Sequence, residues 1–403
     1  MAEGQPQTRW SLQLLFARAS SQAASLVLVM ASVSLLLFAC TTPYKHPQLR
    51  PADAGFAGID DSFTAQTSEV DVLLIHGMGT HDETWVKSTA NQLANALGFS
   101  APADLPPADL LRNGAKLYRY RLTRSNRHLN ISAVLWSPIT SPAKATLCYD
   151  VDQLTSLCTD PSKFSKETRA KANAYIKSQI MDDRLSDATF YLNEDGGRLI
   201  REDVKDALLR SLSTEGLALD QLSPGVTPTA KIVPLFVISE SLGSKIVVDS
   251  LREFEDSLQT RDFARLTRGN VHALFLLANQ IPILNLGVRD NQGRLDAYDH
   301  LKTFARDRNM YRSSRLPHVP LHVIAFSDPN DIFSYQLQSD ALRAEGAIIS
   351  NVVVSNDHTI LGLYEDPGNA HTCYMQNSPV ANAIAHGSGA LTQFTGTHCA
   401  HQR

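Results

Sequence analysis

Between Ile232 and Ile238 the chain is almost continuously apolar, and it then meets Ser239-Glu240-Ser241-Leu242-Gly243. Val247, Leu251 and Phe254 follow at helical spacing. An unbroken apolar run of this kind reads as a strand buried on both faces of a parallel sheet. The five residues after it must turn the chain from strand to helix within a few bonds. That turn crowds the backbone, so the positions two before and two after its central residue take only small side chains. Ser239 and Gly243 meet the demand, with Ser239 where glycine would be smaller still. A hydroxyl at the centre, on Ser241, is lifted clear of its neighbours and becomes a nucleophile if a base lies close.

The rest of the core follows the same rhythm. Val70–Ile75 is a β-branched run that stops at His76-Gly77-Met78-Gly79. Thr80 and Glu83 have capping-box spacing, and a helix is expected through Trp85, Thr89 and Leu93 to Leu97, closed by Gly98. Lys116–Leu122 alternates as a strand, Leu129–Trp136 reads as another, and Pro138 and Pro142 break the pattern. From about 139 to 230 the chain is more polar and helical in flavour, notably over 163–181 and 200–213. This segment reads as an insertion, either a cap at the mouth of a site or a layer over the sheet. Val271–Leu277 is a strand ending at Asn279-Gln280, and Leu321–Phe326 one ending at Asp328-Pro329-Asn330-Asp331. Ile348–Val354 is the last, and a terminal helix after Pro379 carries Val380 and Ile384 to Gly387. Strands alternating with helices imply an α/β fold, a mainly parallel sheet with helices on both faces. Hydrophobic residues make up 43% of the chain, enough for a large core.

The first forty residues stand apart. Arg9 and Arg18 precede an uncharged apolar run from Ala24 to Ala39, the length of a signal-peptide core. It ends in Leu37-Phe38-Ala39-Cys40, which resembles the lipobox of bacterial lipoprotein precursors. That resemblance implies lipidation at Cys40 and a membrane-anchored protein of the cell envelope, facing the periplasm or exterior. The alternative is an uncleaved membrane anchor. Residues 41–65 then read as a tether and 66–403 as the folded domain. Export would favour disulfides among Cys148, Cys158, Cys373 and Cys399. Three pairings exist, and proximity favours Cys148–Cys158 and Cys373–Cys399. No Cys-x-x-Cys or Cys-x-x-His spacing points to a metal. A formal net charge of -4 offers no reason to expect nucleic acid.

The strand, Ser241 turn and helix, together with His76-Gly77-Met78-Gly79 after an earlier strand, resemble the α/β-hydrolase superfamily over about Val70 to Gly389, the insertion excluded. Trp136-Ser137-Pro138, Leu277-Ala278-Asn279-Gln280 and Ala370-His371-Thr372 are similar to a bacterial lipoprotein-type branch of it. The resemblance implies a serine hydrolase, with oxyanion donors at the N–H groups of Met78 and Leu242. It implies an acid and then a histidine, in chain order. Asp331 lies a short turn beyond its strand, with Asp328 the alternative. His371, in Asn369-Ala370-His371-Thr372-Cys373-Tyr374, is expected in a loop before the terminal helix, with His358 the alternative. His76 reads as a packing residue. The implied substrate is a small-molecule or lipid ester, with no cofactor. The competing reading is a non-catalytic envelope protein that uses the same fold for binding.

Overall fold

The computed structural model describes residues 41–42, 46–52, 54–151, 155, 157–159, 169–222, 228–254, 260–310, 319–360 and 363–392. Residues 1–40, with Cys40, lie outside them, as does Cys399.

The sheet strands are β1 (Gln48–Arg50), β2 (Glu69–Ile75), β3 (Ala108–Leu110), β4 (Lys116–Arg124), β5 (Arg127–Leu135), β6 (Leu235–Glu240), β7 (Val271–Leu277), β8 (His322–Ser327) and β9 (Ile348–Val353). They form one sheet in the order β1-β9-β8-β7-β6-β2-β5-β4-β3. From β9 to β5 every pairing is parallel, and the edge pairings are antiparallel. All seven residues of β7 are buried, which explains a sequence apolar at every position but His272. β6 begins at Leu235 rather than Ile232, because Pro234 has no N–H for the ladder.

The main helices are α1 (Glu83–Ala96), α2 (Ser137–Ala145), α3 (Glu194–Leu212), α4 (Gly243–Glu253), α5 (Asp299–Met310), α6 (Pro367–Thr372) and α7 (Ser378–His386). Val86, Ala90 and Leu93 of α1 and Val380 and Ile384 of α7 pack on one face of the sheet. Ile200, Val204 and Leu208 of α3, with Ile246 of α4 and Phe304 of α5, pack on the other. The molecule is thus an α/β fold with helices on both faces.

Several expectations are corrected. The cap of α1 is Asp82, whose carboxylate accepts from Thr84 N at 2.8 Å, and not the Thr80–Glu83 pair. Thr80 is instead held by Asp183, which moves the helix start two residues on. Pro138 opens α2 rather than ending order there, since a first-turn residue needs no N–H partner. The stretch 41–65 is more than a tether. β1 pairs with β9, and Phe56 and Ile59 are buried. Ile59 N also donates to the Ile384 carbonyl at 3.0 Å. α3 covers the sheet, while a π-helical stretch, Ile176–Leu185, reaches the loop after β2. Cys148 and Cys158 form a disulfide.

Candidate active site

Ser241 follows β6 with a φ of 54°, a left-handed conformation that costs an L-residue roughly 1–3 kcal/mol. Two hydrogen bonds hold it there: Ser241 N donates to the Leu277 carbonyl at 2.8 Å, and the Ser244 side chain donates through Oγ to the Ser241 carbonyl at 2.6 Å. Two glycines are required by close approach. A Cβ on Gly243 would lie 2.7 Å from the His76 carbonyl oxygen, and one on Gly77 2.6 Å from Ser241 Cβ. The turn after β2 therefore rests directly on the turn after β6. Ser239 is fully buried, and its hydroxyl has no partner among the described residues.

Three elements, β6, β8 and α6, bring Ser241, Asp331 and His371 together. His371 Nε2 lies 3.0 Å from Ser241 Oγ, and its Nδ1 lies 2.9 Å from Asp331 Oδ1. With the proton on Nδ1 shared to the carboxylate, Nε2 is left to accept from the serine hydroxyl. Asp331, just past β8, has a fully buried side chain. It accepts from Phe333 N at 3.0 Å and from the Tyr374 hydroxyl at 3.0 Å. Burial, and then the Asp331 charge, hold the Tyr374 hydroxyl well above its ordinary pKa, so it remains a donor. His371 sits in the short helix α6 rather than in a loop, with Asp366 capping Gly368 and Asn369. The edge of Phe333 packs on its ring at 5.2 Å.

The alternatives point elsewhere. Asp328 accepts from Asn330 N at 2.9 Å and Asn356 N at 2.6 Å, organising its own turn and the segment after β9. His358 pairs with Asp357 at 2.7 Å, on a half-exposed loop. Cys373 is buried beside α6, but its expected pairing ends at Cys399, outside the described residues.

No acceptor among the described residues takes the N–H of Met78 or of Leu242. The loop bearing Met78 is held firmly. His76 is buried and, with its ordinary pKa pulled well down by burial, neutral. Its Nδ1 donates to the Gly77 carbonyl at 2.8 Å, while Nε2 accepts from Trp136 N at 2.9 Å. Its ring stacks on Trp136 at 4.5 Å. Beyond it, Gly79 N donates to Asp187 at 2.7 Å, and Thr80 donates to Asp183 through both N–H and hydroxyl. Lys144 Nζ joins the two carboxylates, 2.7 Å from Asp183 and 3.1 Å from Asp187. The sequence gives no local sign of this clamp, whose members come from α2, the π-helical stretch and the helix after it.

A cavity of about 560 Å³ opens over Ser241 and His371, between α1 and α6. Glu240 lines it beside the serine and accepts from Trp85 Nε1 at 3.1 Å. Burial pushes the Glu240 carboxyl up to about 7. Glu240 is the unassigned residue of the serine turn itself; strand periodicity gives no sign that its carboxyl turns into a cavity. Among the described residues no group of His, Cys, Asp and Glu is arranged to hold a metal ion, and no helix is long and apolar enough to cross a membrane.

No protein-family model matches the chain, and no curated protein does. A solved structure described as esterase B from Lactobacillus Rhamnosis (HN001) is similar at a TM-score of 0.31 and 12% identity, covering 89% of this chain and 88% of that one.

Proposed function

We propose that the protein is a serine hydrolase of the α/β-hydrolase type that cleaves carboxylic esters through an acyl-enzyme. The observation that carries this reading is the continuous hydrogen-bonded path from Ser241 Oγ through His371 to buried Asp331. Ser241 Oγ attacks the ester carbonyl carbon while its proton passes to His371 Nε2. The developing oxyanion is met by the N–H groups of Met78 and Leu242, which are fixed before reaction and need no reorganisation. As the tetrahedral species collapses, the carbon–oxygen bond to the alcohol breaks and His371 returns the proton to the leaving oxygen. Water then adds to the acyl-enzyme by the same route, giving the acid and free Ser241. Asp331 keeps the Nδ1 proton in place and stabilises the imidazolium.

The test is Ser241→Ala. Its hydrolysis of p-nitrophenyl acetate should fall by on the order of 10³-fold or more with the unfolding transition unchanged, since one hydroxyl is lost from a backbone-held turn. Activity retained in a folded variant would contradict the assignment.

We also propose that Cys40 is lipidated and tethers the enzyme to a membrane of the cell envelope. In support, the apolar run ends at Leu37-Phe38-Ala39-Cys40. Thr41–Thr42 pair with Thr359–Ile360, so such an anchor would hold the domain close to the bilayer. Intact mass should show loss of the leader and gain of acyl chains; an N-terminus at Met1 would contradict it.

A further inference from the structure

The cavity that reaches Ser241 is walled on one side by α1. Trp85, Ser88 and Gln92 stand at positions i, i+3 and i+7 of this helix and so share one face. Along that face the wall runs about 10 Å at the helical rise per residue. An aliphatic tunnel of this length would be lined by leucine, phenylalanine or valine. Here the apolar side of α1, Val86, Ala90 and Leu93, is turned into the core, and the side facing the cavity is polar. Gln92 Oε1 is buried without a hydrogen-bond partner among the described residues, and Gln92 Nε2 makes only a long contact of 3.4 Å to Ser88 Oγ. At the other end Glu240 stands beside the nucleophile, held by Trp85 Nε1, while the ring of Trp85 is itself part-exposed to the cavity. Thr372 lines the wall opposite.

We propose that this cavity takes the hydroxyl-rich part of its substrate, making the enzyme a hydrolase of short-acyl esters of sugars or similar polyols and a poor one for long-chain acyl esters. This rests on the serine-hydrolase reading and adds the substrate class to it. A long methylene chain lying along α1 would cover the Ser88 hydroxyl and the Glu240 carboxyl without offering either a hydrogen bond, leaving Glu240 with its Trp85 partner alone and Gln92 Oε1 still unpaired. Substrate hydroxyls both donate and accept. They can donate to Gln92 Oε1 and to Glu240 and accept from Ser88, while the C–H face of a sugar ring lies on Trp85. Sites built to hydrogen-bond a substrate discriminate strongly against analogues that lack the matching groups.

The experiment uses the whole protein and four esters: p-nitrophenyl acetate, p-nitrophenyl octanoate, methyl 6-O-acetyl-glucoside and n-hexyl acetate. Expected are kcat/KM values about tenfold or more in favour of p-nitrophenyl acetate over the octanoate and of the acetylated glucoside over hexyl acetate, the scale of selectivity that unpaired polar groups impose. In Gln92→Leu both ratios should move toward the aliphatic ester. A wild-type preference for the octanoate, or equal rates on the glucoside and hexyl acetate, would overturn the substrate class while leaving the hydrolase intact. Unchanged ratios in Gln92→Leu would do the same. Failure to turn over p-nitrophenyl acetate at all would instead overturn the underlying hydrolase reading, and the substrate class with it.

Discussion

Replacing Lys144 by methionine should unfold the clamp behind the active-site loop. The Lys144 side chain is 1% exposed, that of Asp187 not at all and that of Asp183 21%. Methionine fills the space of the lysine stem but leaves Asp187 facing an apolar group, with Gly79 N as its remaining strong donor. Its second oxygen, Oδ1, is already without a partner. Removing one member of a buried ion pair costs about 3–5 kcal/mol, against about 0–1 kcal/mol for a surface pair. The larger figure applies because two of the three groups are shielded from water. Burial already pushes the Asp187 carboxyl above its ordinary range, and Lys144 is the main influence opposing it. Without the lysine, Asp187 takes up a proton more readily, so the deficit should be largest near neutral pH and shrink as the solution is acidified. Urea unfolding of wild type and Lys144→Met across that range reads both quantities. A loss below about 1 kcal/mol at pH 7 would mean that the pair behaves as if solvated, contrary to its burial.

Three further outcomes follow from the site. His371→Ala should lower kcat for an activated ester on the order of 10³-fold or more, whereas His358→Ala should leave it within about twofold; the reverse ranking would transfer the base. Asp331→Asn should likewise cost on the order of 10³-fold in kcat, and Asp328→Asn should show itself mainly as lost stability in urea, since Asp328 holds backbone N–H groups of two loops. Glu240→Gln tests the raised carboxyl. The folded protein holds that proton up to about 7, above the ordinary value of 4.5, so wild-type stability should fall as pH rises through that window. The side-chain amide oxygen of the Glu240→Gln variant can still accept from Trp85 Nε1, and that variant lacks the slope; its advantage over wild type should therefore be greater at pH 8 than at pH 5, and a constant difference would contradict the buried ionisation.

The central strands were legible because strands covered on both faces are mostly apolar, as β2, β6 and β7 are apart from Glu69, Asp71, Ser239, Glu240 and His272. The Ser241 turn was legible for a steric reason, since Gly243 is the residue that the turn after β2 leaves room for. β1 was not, because three exposed or half-buried residues on a sheet edge carry no hydrophobic pattern. The burial of Phe56 and Ile59 was hidden in the same way: single apolar residues in a coil have no period to read. Choosing Asp331 over Asp328 and His371 over His358 depended on where strand-end loops converge. Periodicity carries no information on that, and the distances here bring together Asp331 and His371. The Lys144–Asp183–Asp187 clamp joins residues up to 43 positions apart and leaves no local trace at all.

If Ser241 is an activated nucleophile, a reagent that captures activated serines will bond to it. The native protein would be treated with a fluorophosphonate at neutral pH, digested, and the modified peptide sequenced by mass spectrometry. One phosphonyl adduct is expected, on Ser241, formed rapidly in wild type and lost in His371→Ala. No adduct on Ser241, or labelling as fast without His371 as with it, would contradict that activation.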